Sequence, residues 1–249
     1  MPAAHTPIDR FAPPLPGRSI IRQRWSDLVF LHWKIDPARV APMMPPGTRP
    51  DLDANGDTWV GLIPFVLSRS QFFPPLPAVP YFGTFVECNV RLYSIDDEGR
   101  RGVVFLSLDA QRVLPVLTAR ALFGLPYRWA SMSLKKKPTT LEYRSRRLEG
   151  GQSHPSTHIV ARVGESPVDT ELSRFLTARW GFHGQVRGRA IWARNHHEPW
   201  PLRQASLDYI YDELLAVAGF PELASRAPDS VMWSPGVTTV FARPTKVAS

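Results

Sequence analysis

Residues 85–93 constrain the fold more than any other stretch, because polar and apolar side chains alternate there. Side chains along a β-strand point to opposite sides at successive residues, so a period of two predicts a strand between two different environments. One face carries Phe85, Glu87, Asn89, Arg91 and Tyr93, and the other carries Val86, Cys88, Val90 and Leu92. The turn cluster Asp96-Asp97-Glu98-Gly99 and the apolar run 103–108 follow, which predicts a β-hairpin.

The polar face of this strand has two interpretations. A solvated outer face would carry the same residues as a polar-lined interior, and the pattern alone does not separate them. In the second case a buried Glu87 near Arg91 would mark a functional site or a buried ion pair. Cys88 lies on the apolar face, which indicates a buried structural thiol.

The rest of the chain predicts many strands and few helices. Strands are expected near residues 26–33, 58–67, 139–147, 157–163, 182–195 and 237–242, and after Pro126. Helices are expected at residues 113–122, after a Ser166-Pro167 start, and around Leu207–Leu215, with a short turn capped by Asp36 and Pro37. This order favours an α+β fold, mainly β, with an antiparallel barrel or sandwich and a few peripheral helices.

The composition fits one domain. Twenty-six prolines in 249 residues favour short strands and ordered loops. Residues 1–19 form a Pro-rich arm without the apolar core of a signal or anchor, and residues 20–249 form the domain. No apolar run reaches the length of a spanning helix, so we expect a soluble, cytoplasmic protein without a membrane partner.

The net charge of +8 permits nucleic-acid binding, but the arginines are dispersed and no nucleic-acid-binding motif is present. The densest basic runs, residues 135–137 and 144–147, are typical of a charged hairpin edge. We therefore expect no specific nucleic-acid partner. The segment 68–82 holds several prolines and aromatic residues, and it predicts either a lid over a pocket or an interface, including one of a homo-oligomer.

Several stretches together resemble the DUF2071 family of uncharacterised proteins. They run in order along residues from about 20 to 245: 25–33, 59–65, 85–93, 105–110, 119–127, 197–202 and 234–236. The chain also resembles the acetoacetate decarboxylases more locally, in Arg24, in Glu87 and in the turn Gly124-Leu125-Pro126. The resemblance implies a barrel-like sheet with a central cavity, in which Arg24, Glu87 and the residues after the turn converge.

The departure from the decarboxylases concerns the reactive amine. In that family two adjacent lysines follow the proline; one forms a Schiff base and the other lowers its pKa. Tyr127 and Arg128 stand in those positions here. Because a tyrosine forms no imine, the resemblance implies a shared scaffold without Schiff-base chemistry.

The candidate site follows from this comparison. Glu87, Tyr127 and Arg24 are the candidate catalytic groups: a desolvated acid or base, a hydroxyl donor and a carboxylate-binding fork. Asn89, Arg91, Arg128 and Trp129 are the candidate ligand-binding residues. The run His196-His197-Glu198 contains possible metal ligands, but neighbouring side chains on a strand point in opposite directions, so we expect no metal site. We also expect no cofactor.

Three functions remain open at this stage. The first is a cavity protein that binds a small carboxylate or carbonyl compound, with lysine-independent acid–base chemistry if it is an enzyme. The second is a ligand-binding or sensor module without catalysis. The third is an interaction protein that uses the segment 68–82.

Overall fold

The computed structural model describes residues 8–74, 84–112, 124–149 and 153–247. Within these ranges thirteen strands join one sheet. The strands are β1 Ile21–Ile35, β2 Thr48–Pro50, β3 Thr58–Phe72, β4 Phe85–Asp96, β5 Arg101–Ala110, β6 Tyr127–Lys137, β7 Thr140–Arg147, β8 Ser156–Pro167, β9 Gly181–Val186, β10 Arg189–His197, β11 Arg203–Asp212, β12 Ser230–Phe241 and β13 Thr245–Lys246. The α-helices are α1 Pro37–Val40, α2 Glu171–Thr177 and α3 Leu214–Val217, with 3₁₀ turns at Ala41–Met43 and Leu223–Ser225.

The sheet closes on itself twice around a shared wall. The wall is β12-β1-β3-β4-β5, in hydrogen-bonded order. On one side β9 and β10 connect β5 back to β12, and on the other β6, β7, β8 and β11 do the same. Most pairs are antiparallel, and β5 pairs in parallel with β6 and β9. The predicted mainly β architecture with a barrel-like, largely antiparallel sheet is confirmed in outline.

Each side of the wall has its own hydrophobic core. The alternation along β4 places Val86, Cys88, Val90 and Leu92 in the first core, together with side chains of β6, β7 and β8. Phe85 and Tyr93, on the other face, belong to the second core with residues of β9, β10 and α2. Glu87 and Asn89 share that second face and are only 2% and 5% exposed. The polar face of β4 is therefore interior, because a second layer of the fold covers it.

The helix expected around Leu207–Leu215 is wrong over most of its length. Residues 203–212 form β11, and only Leu214–Val217 are helical. A β-bulge between Leu207 and Tyr209 inserts one extra residue, so Leu207 and Ile210 both pack on the first core. The inserted residue turns a period of two into a spacing of three, which imitates a helix.

The second predicted helix begins later than expected. Ser166 and Pro167 end β8, and α2 starts after Thr170, whose side chain accepts a hydrogen bond from the Ser173 amide in a capping box. The turn at Asp36 and Pro37 is confirmed, with Asp36 accepting from the Ala38 amide. The helix expected at 113–122 lies outside the described residues, as do residues 75–82 of the aromatic segment.

The two basic runs lie on one hairpin. Residues 135–137 are exposed at the end of β6, and Arg144 and Arg146 are exposed on β7, which pairs with it. Arg147 differs, because it forms an ion pair of 2.8 Å with the buried Asp109. Most of the charge of the two runs therefore faces solvent, and the strands expected at 139–147 and 157–163 pair as β7 and β8.

Candidate functional site

A cavity of about 150 Å³ lies on the second side of the wall, beneath the polar face of β4. Its lining comes from β1, β3, β4, β5, β6, β9, β10 and β12, from Thr177 of α2, and from the connecting residues Leu125, Arg179, Trp200 and Ala242. The polar and charged lining residues are Gln23, Ser70, Glu87, Asn89, Arg91, Tyr127, Thr177, Arg179, Asn195 and His197. The remaining wall is mostly aromatic and aliphatic, so a few polar groups stand in an apolar enclosure, as in typical ligand sites.

Glu87 and Tyr127 form a hydrogen-bonded pair in this cavity. The Tyr127 hydroxyl donates to Glu87 Oε2 at 3.1 Å. Burial raises the pKa of Glu87 from its usual range to about 8; the Tyr127 hydrogen bond opposes this rise and Asp109 adds to it. Burial also raises the pKa of Tyr127 well above its usual value. At neutral pH the pair is therefore mostly uncharged and holds two hydroxyl protons.

The parallel pairing of β5 with β6 creates this contact. Asn89 lies beside Leu108, and Leu108 lies beside Tyr127, so Tyr127 stands two strands from β4. Glu87 lies two residues before Asn89 on β4, so the two side chains share one face of the strand. Pro126 immediately precedes Tyr127 and has no amide hydrogen to donate, which suits the first residues of a strand.

Two asparagines leave polar atoms unsatisfied at the cavity wall. Asn89 and Asn195 are each 5% exposed, and the side-chain oxygen of each has no hydrogen-bond partner among the described residues. A buried acceptor without a donor costs free energy, so such groups are usually satisfied by a ligand or water. Both asparagines belong to the cavity lining, which makes them candidate contacts for a bound molecule.

Arg91 is held by neutral oxygen atoms. Its guanidinium donates to the Tyr93 hydroxyl at 3.1 and 3.2 Å and to the Leu176 carbonyl at 3.1 Å, and it lies over the Phe30 ring. No carboxylate of the described residues forms a salt bridge with it. Among the described residues, neutral groups alone hold this guanidinium in place.

Behind Arg91, His32 completes the network. The Tyr93 hydroxyl donates to the Leu176 carbonyl at 3.0 Å, so the His32 Nε2–H must donate to Tyr93 across 2.7 Å. Burial, then Arg91 and Arg179, holds the pKa of His32 well below its usual value. His32 is a neutral, packed support and does not line the cavity.

Arg179 supplies a second guanidinium. It follows α2, is 4% exposed, and pairs with Asp51, while its Nε donates to the Phe175 carbonyl at 2.7 Å. Its Nη2 has no partner among the described residues. Arg101 Nε lies 3.7 Å from the same Asp51 carboxylate. One carboxylate thus serves two arginines.

Aromatic rings form another part of the cavity lining. Trp25 stacks on Trp200 with ring centroids 6.1 Å apart and contacts Phe65 and Phe241 at 5.9 Å. His197 packs against Trp200 at 4.8 Å, and burial lowers its pKa to about 4. A neutral imidazole therefore joins an apolar wall.

Three of the seven sequence-predicted site residues do not line the cavity. Arg24 lies between Gln23 and Trp25, which do, and its Nη2 reaches the Pro235 carbonyl at 3.5 Å. Arg128 is exposed and lies 3.8 Å from Glu149, and Trp129 is 38% exposed. The expectation that Arg24 converges with Glu87 and Tyr127 is wrong, because alternation turns it to the other face of β1. The structure brings together Glu87, Tyr127, Asn89 and Arg91.

Sequence reasoning missed Arg179 and Asn195, and it considered His197 only as a metal ligand. Ala193, Asn195 and His197 follow a period of two along β10, and that signal was available. Arg179 stands in a short connection after α2 and carries no pattern of its own. Its place depends on Asp51, which is 128 residues away in the sequence.

A Ser-His-Asp arrangement elsewhere has no access to ligand. Ser94 Oγ lies 2.8 Å from His183 Nδ1, and His183 Nε2 lies 3.1 Å from Asp96 Oδ2. All three side chains are at most 1% exposed and none lines the cavity. The chain of hydrogen bonds ties β4 to β9 and supplies no nucleophile.

The comparisons with known proteins agree with this fold. The DUF2071 family model, described as an uncharacterized conserved protein, matches residues 22–238. The uncharacterized protein YqjF of Bacillus subtilis (strain 168) is 33% identical over 198 residues, which cover 77% of this chain and 78% of that protein. Among the helices of the described residues, none has the length and apolar character needed to cross a membrane.

Solved structures show the same architecture at low sequence identity. An acetoacetate decarboxylase-like enzyme from Sphingomonas wittichii RW1 is 13% identical with a TM-score of 0.61, covering 94% of this chain and 95% of that one. Acetoacetate decarboxylase from Legionella pneumophila is 15% identical with a TM-score of 0.60, covering 100% and 92%. The enduracididine biosynthesis enzyme MppR, solved with pyruvate, is 12% identical with a TM-score of 0.59, covering 93% and 91%. The chain has an acetoacetate decarboxylase-like fold, and it belongs to the DUF2071 family.

Proposed function

We propose that this protein binds a small carboxylate or carbonyl compound in the cavity beneath β4, and that Glu87 exchanges protons with the bound molecule. The observation that carries the proposal is the Glu87–Tyr127 pair, in which a half-buried phenol donates a hydrogen bond to a buried carboxyl in a largely apolar cavity. Nothing in the packing of the second core requires a carboxyl there, and its burial costs free energy.

The chemistry of the pair suits a carbonyl oxygen. Two hydroxyl groups in a largely apolar site would donate hydrogen bonds to an oxygen that gains negative charge as an enol or enolate forms. A carboxyl whose pKa is about 8 has both protonation states available near neutral pH, so it can also accept a proton from the carbon next to a carbonyl. The unsatisfied oxygen atoms of Asn89 and Asn195 would accept from a hydroxyl of the ligand.

We propose further that the protein works without a Schiff base. The lysines of the chain are Lys34, Lys135, Lys136, Lys137 and Lys246. All five lie among the described residues, and none belongs to the cavity lining. The family resemblance implies that Tyr127 stands where the decarboxylases carry the reactive lysine. Reduction with borohydride in the presence of acetoacetate should therefore leave the intact mass unchanged, and a stoichiometric adduct on one lysine would contradict this.

Proton exchange tests the acid–base role. The protein is incubated in D₂O with levulinate or a neutral methyl ketone, and loss of the proton signals next to the carbonyl is followed by NMR. We expect enzyme-dependent exchange that rises with pH up to about 8, because the proton-accepting carboxylate form of Glu87 increases over that range. Glu87→Gln should abolish it, while the exposed control Glu165→Gln should not.

The same experiment separates catalysis from binding alone. If ligands bind in a calorimeter but no exchange occurs at any pH, the protein is a non-catalytic binding module. If neither carboxylates nor ketones bind, the proposed function fails.

A further inference from the structure

Two arginines, the half-buried Arg91 and the buried Arg179, lie at one end of the cavity. Arg91 and Arg179 both line the cavity, and their guanidinium carbons lie 5.4 Å and 4.9 Å from the centroid of the same Tyr93 ring. Asp51 is the carboxylate that pairs with Arg179, and it is shared with Arg101. Arg91 is held by neutral oxygens alone among the described residues.

This charge calls for an anion. A guanidinium removed from water is costly unless a counter-charge accompanies it, and a carboxylate matches its donor fork. Arg179 lines the cavity as well, and its buried Nη2 has no partner among the described residues. A carboxylate bound at these two arginines would balance the charge of Arg91.

The two polar ends of the cavity are well separated. Glu87 and Arg91 lie on the same face of β4, four residues apart, so their Cα atoms are about 13 Å apart at the rise of an extended strand. The Arg91 side chain leans towards Tyr93, away from Glu87, because its hydrogen bonds hold it there. Ile63 and Leu108 flank Asn89 between the two ends, so the intervening wall is largely apolar.

Resting on the proposed function, we propose that the ligand is an elongated oxo or hydroxy acid. Its carboxylate lies between Arg91 and Arg179, its carbonyl or hydroxyl oxygen meets Glu87 and Tyr127, and an apolar chain or ring joins them. An extended chain advances about 1.2 Å per bond. After allowing for a hydrogen bond at each end, the two polar carbons are about four to eight bonds apart. Acetoacetate, with two bonds between its ketone and carboxyl carbons, is too short to reach both ends.

The size of the cavity sets an upper limit. A cavity of about 150 Å³ is comparable to one that holds benzene in another protein. A cavity of this size takes a small acid and excludes nucleotides and long acyl chains.

A series of methyl-ketone acids tests the proposal by calorimetry on the full chain. Acetoacetate, levulinate, 6-oxoheptanoate and 8-oxononanoate have two, three, five and seven bonds between the ketone and carboxyl carbons. We expect 6-oxoheptanoate to bind at least about tenfold more tightly than acetoacetate, since it buries three further methylene groups and reaches both ends. 8-Oxononanoate should bind more weakly than 6-oxoheptanoate, because it exceeds the cavity.

Variants identify the end that holds the carboxylate. Arg91→Met should weaken 6-oxoheptanoate about tenfold or more and leave the neutral 2-heptanone unchanged, whereas Arg91→Lys should recover part of the loss. The exposed Arg144→Met serves as the matched control and should change neither ligand. The ligand series on the unaltered protein keeps the test valid even if Arg91→Met does not fold.

The outcomes separate the two proposals. Tightest binding of acetoacetate, or equal loss of acid and ketone in Arg91→Met, would overturn the elongated ligand and leave the proposed function standing. Absence of binding for every acid and ketone would overturn both.

Discussion

Replacing Glu87 with glutamine removes a carboxyl whose pKa rises from 4.5 to about 8 on folding. Because the folded state favours the protonated form, the stability linked to this group is fully present below pH 4.5 and is lost as pH rises to about 8. At ~1.4 kcal/mol per pKa unit, the change across that interval is on the order of 5 kcal/mol. Glutamine has no such titration and still accepts from the Tyr127 hydroxyl, so the lost hydrogen bonding costs only about 1 kcal/mol.

The expected result is a pH-dependent stabilisation. The free energy of unfolding of Glu87→Gln minus that of the unaltered protein should increase by about 1.4 kcal/mol per pH unit between pH 5 and 8. Urea unfolding at intervals of half a pH unit, followed by tryptophan fluorescence, measures this difference. The exposed Glu165→Gln is the control, and its difference should show no such rise.

A difference that stays constant from pH 5 to 8 would refute the reasoning, because Glu87 would then be ionised in the folded protein. A uniform loss of about 3–5 kcal/mol would instead indicate a broken buried ion pair. The structure argues against that outcome, since neither Arg24 nor Arg91 contacts the carboxyl.

Two further predictions concern neighbouring features. Tyr127→Phe removes the hydrogen bond that favours ionised Glu87, so the pH at which the pH-dependent stability change ends should move above about 8. The free energy of unfolding should fall by about 1 kcal/mol. An unchanged upper pH limit in the same urea titration would contradict the pairing. Gly236→Ala should lower the free energy of unfolding by about 2–4 kcal/mol, because φ is +111° there and an added Cβ would lie 1.9 Å from the Trp25 carbonyl oxygen. Gly184→Ala is its control on β9, where the nearest atoms are at ordinary contact distance, and equal losses in the two variants would argue against a close approach of β12 to β1.

Strands, turns and helix caps were predictable from the sequence where they depend only on residues that are close together along the chain. The alternation along 85–93, the turn at 96–99 and the Asp36 cap each depend on neighbouring residues, and each is present in the structure. The same local logic gave wrong results at β11 and at Arg24. In β11 a bulge changed the period. Arg24 was assigned from a family resemblance, which gives no strand register and therefore does not determine the face of β1 on which the side chain lies.

The candidate site depends on pairings between distant segments. The sequence determined that Glu87, Asn89 and Arg91 share one face of a strand, because side-chain direction follows from the backbone period. Only the tertiary structure decided that this face is interior, because β9, β10 and α2 close over it from far along the chain. It alone placed Tyr127 against Glu87, and Arg179 over the same Tyr93 ring as Arg91, since strand register and ring closure come from long-range hydrogen bonds and burial, which no local pattern encodes.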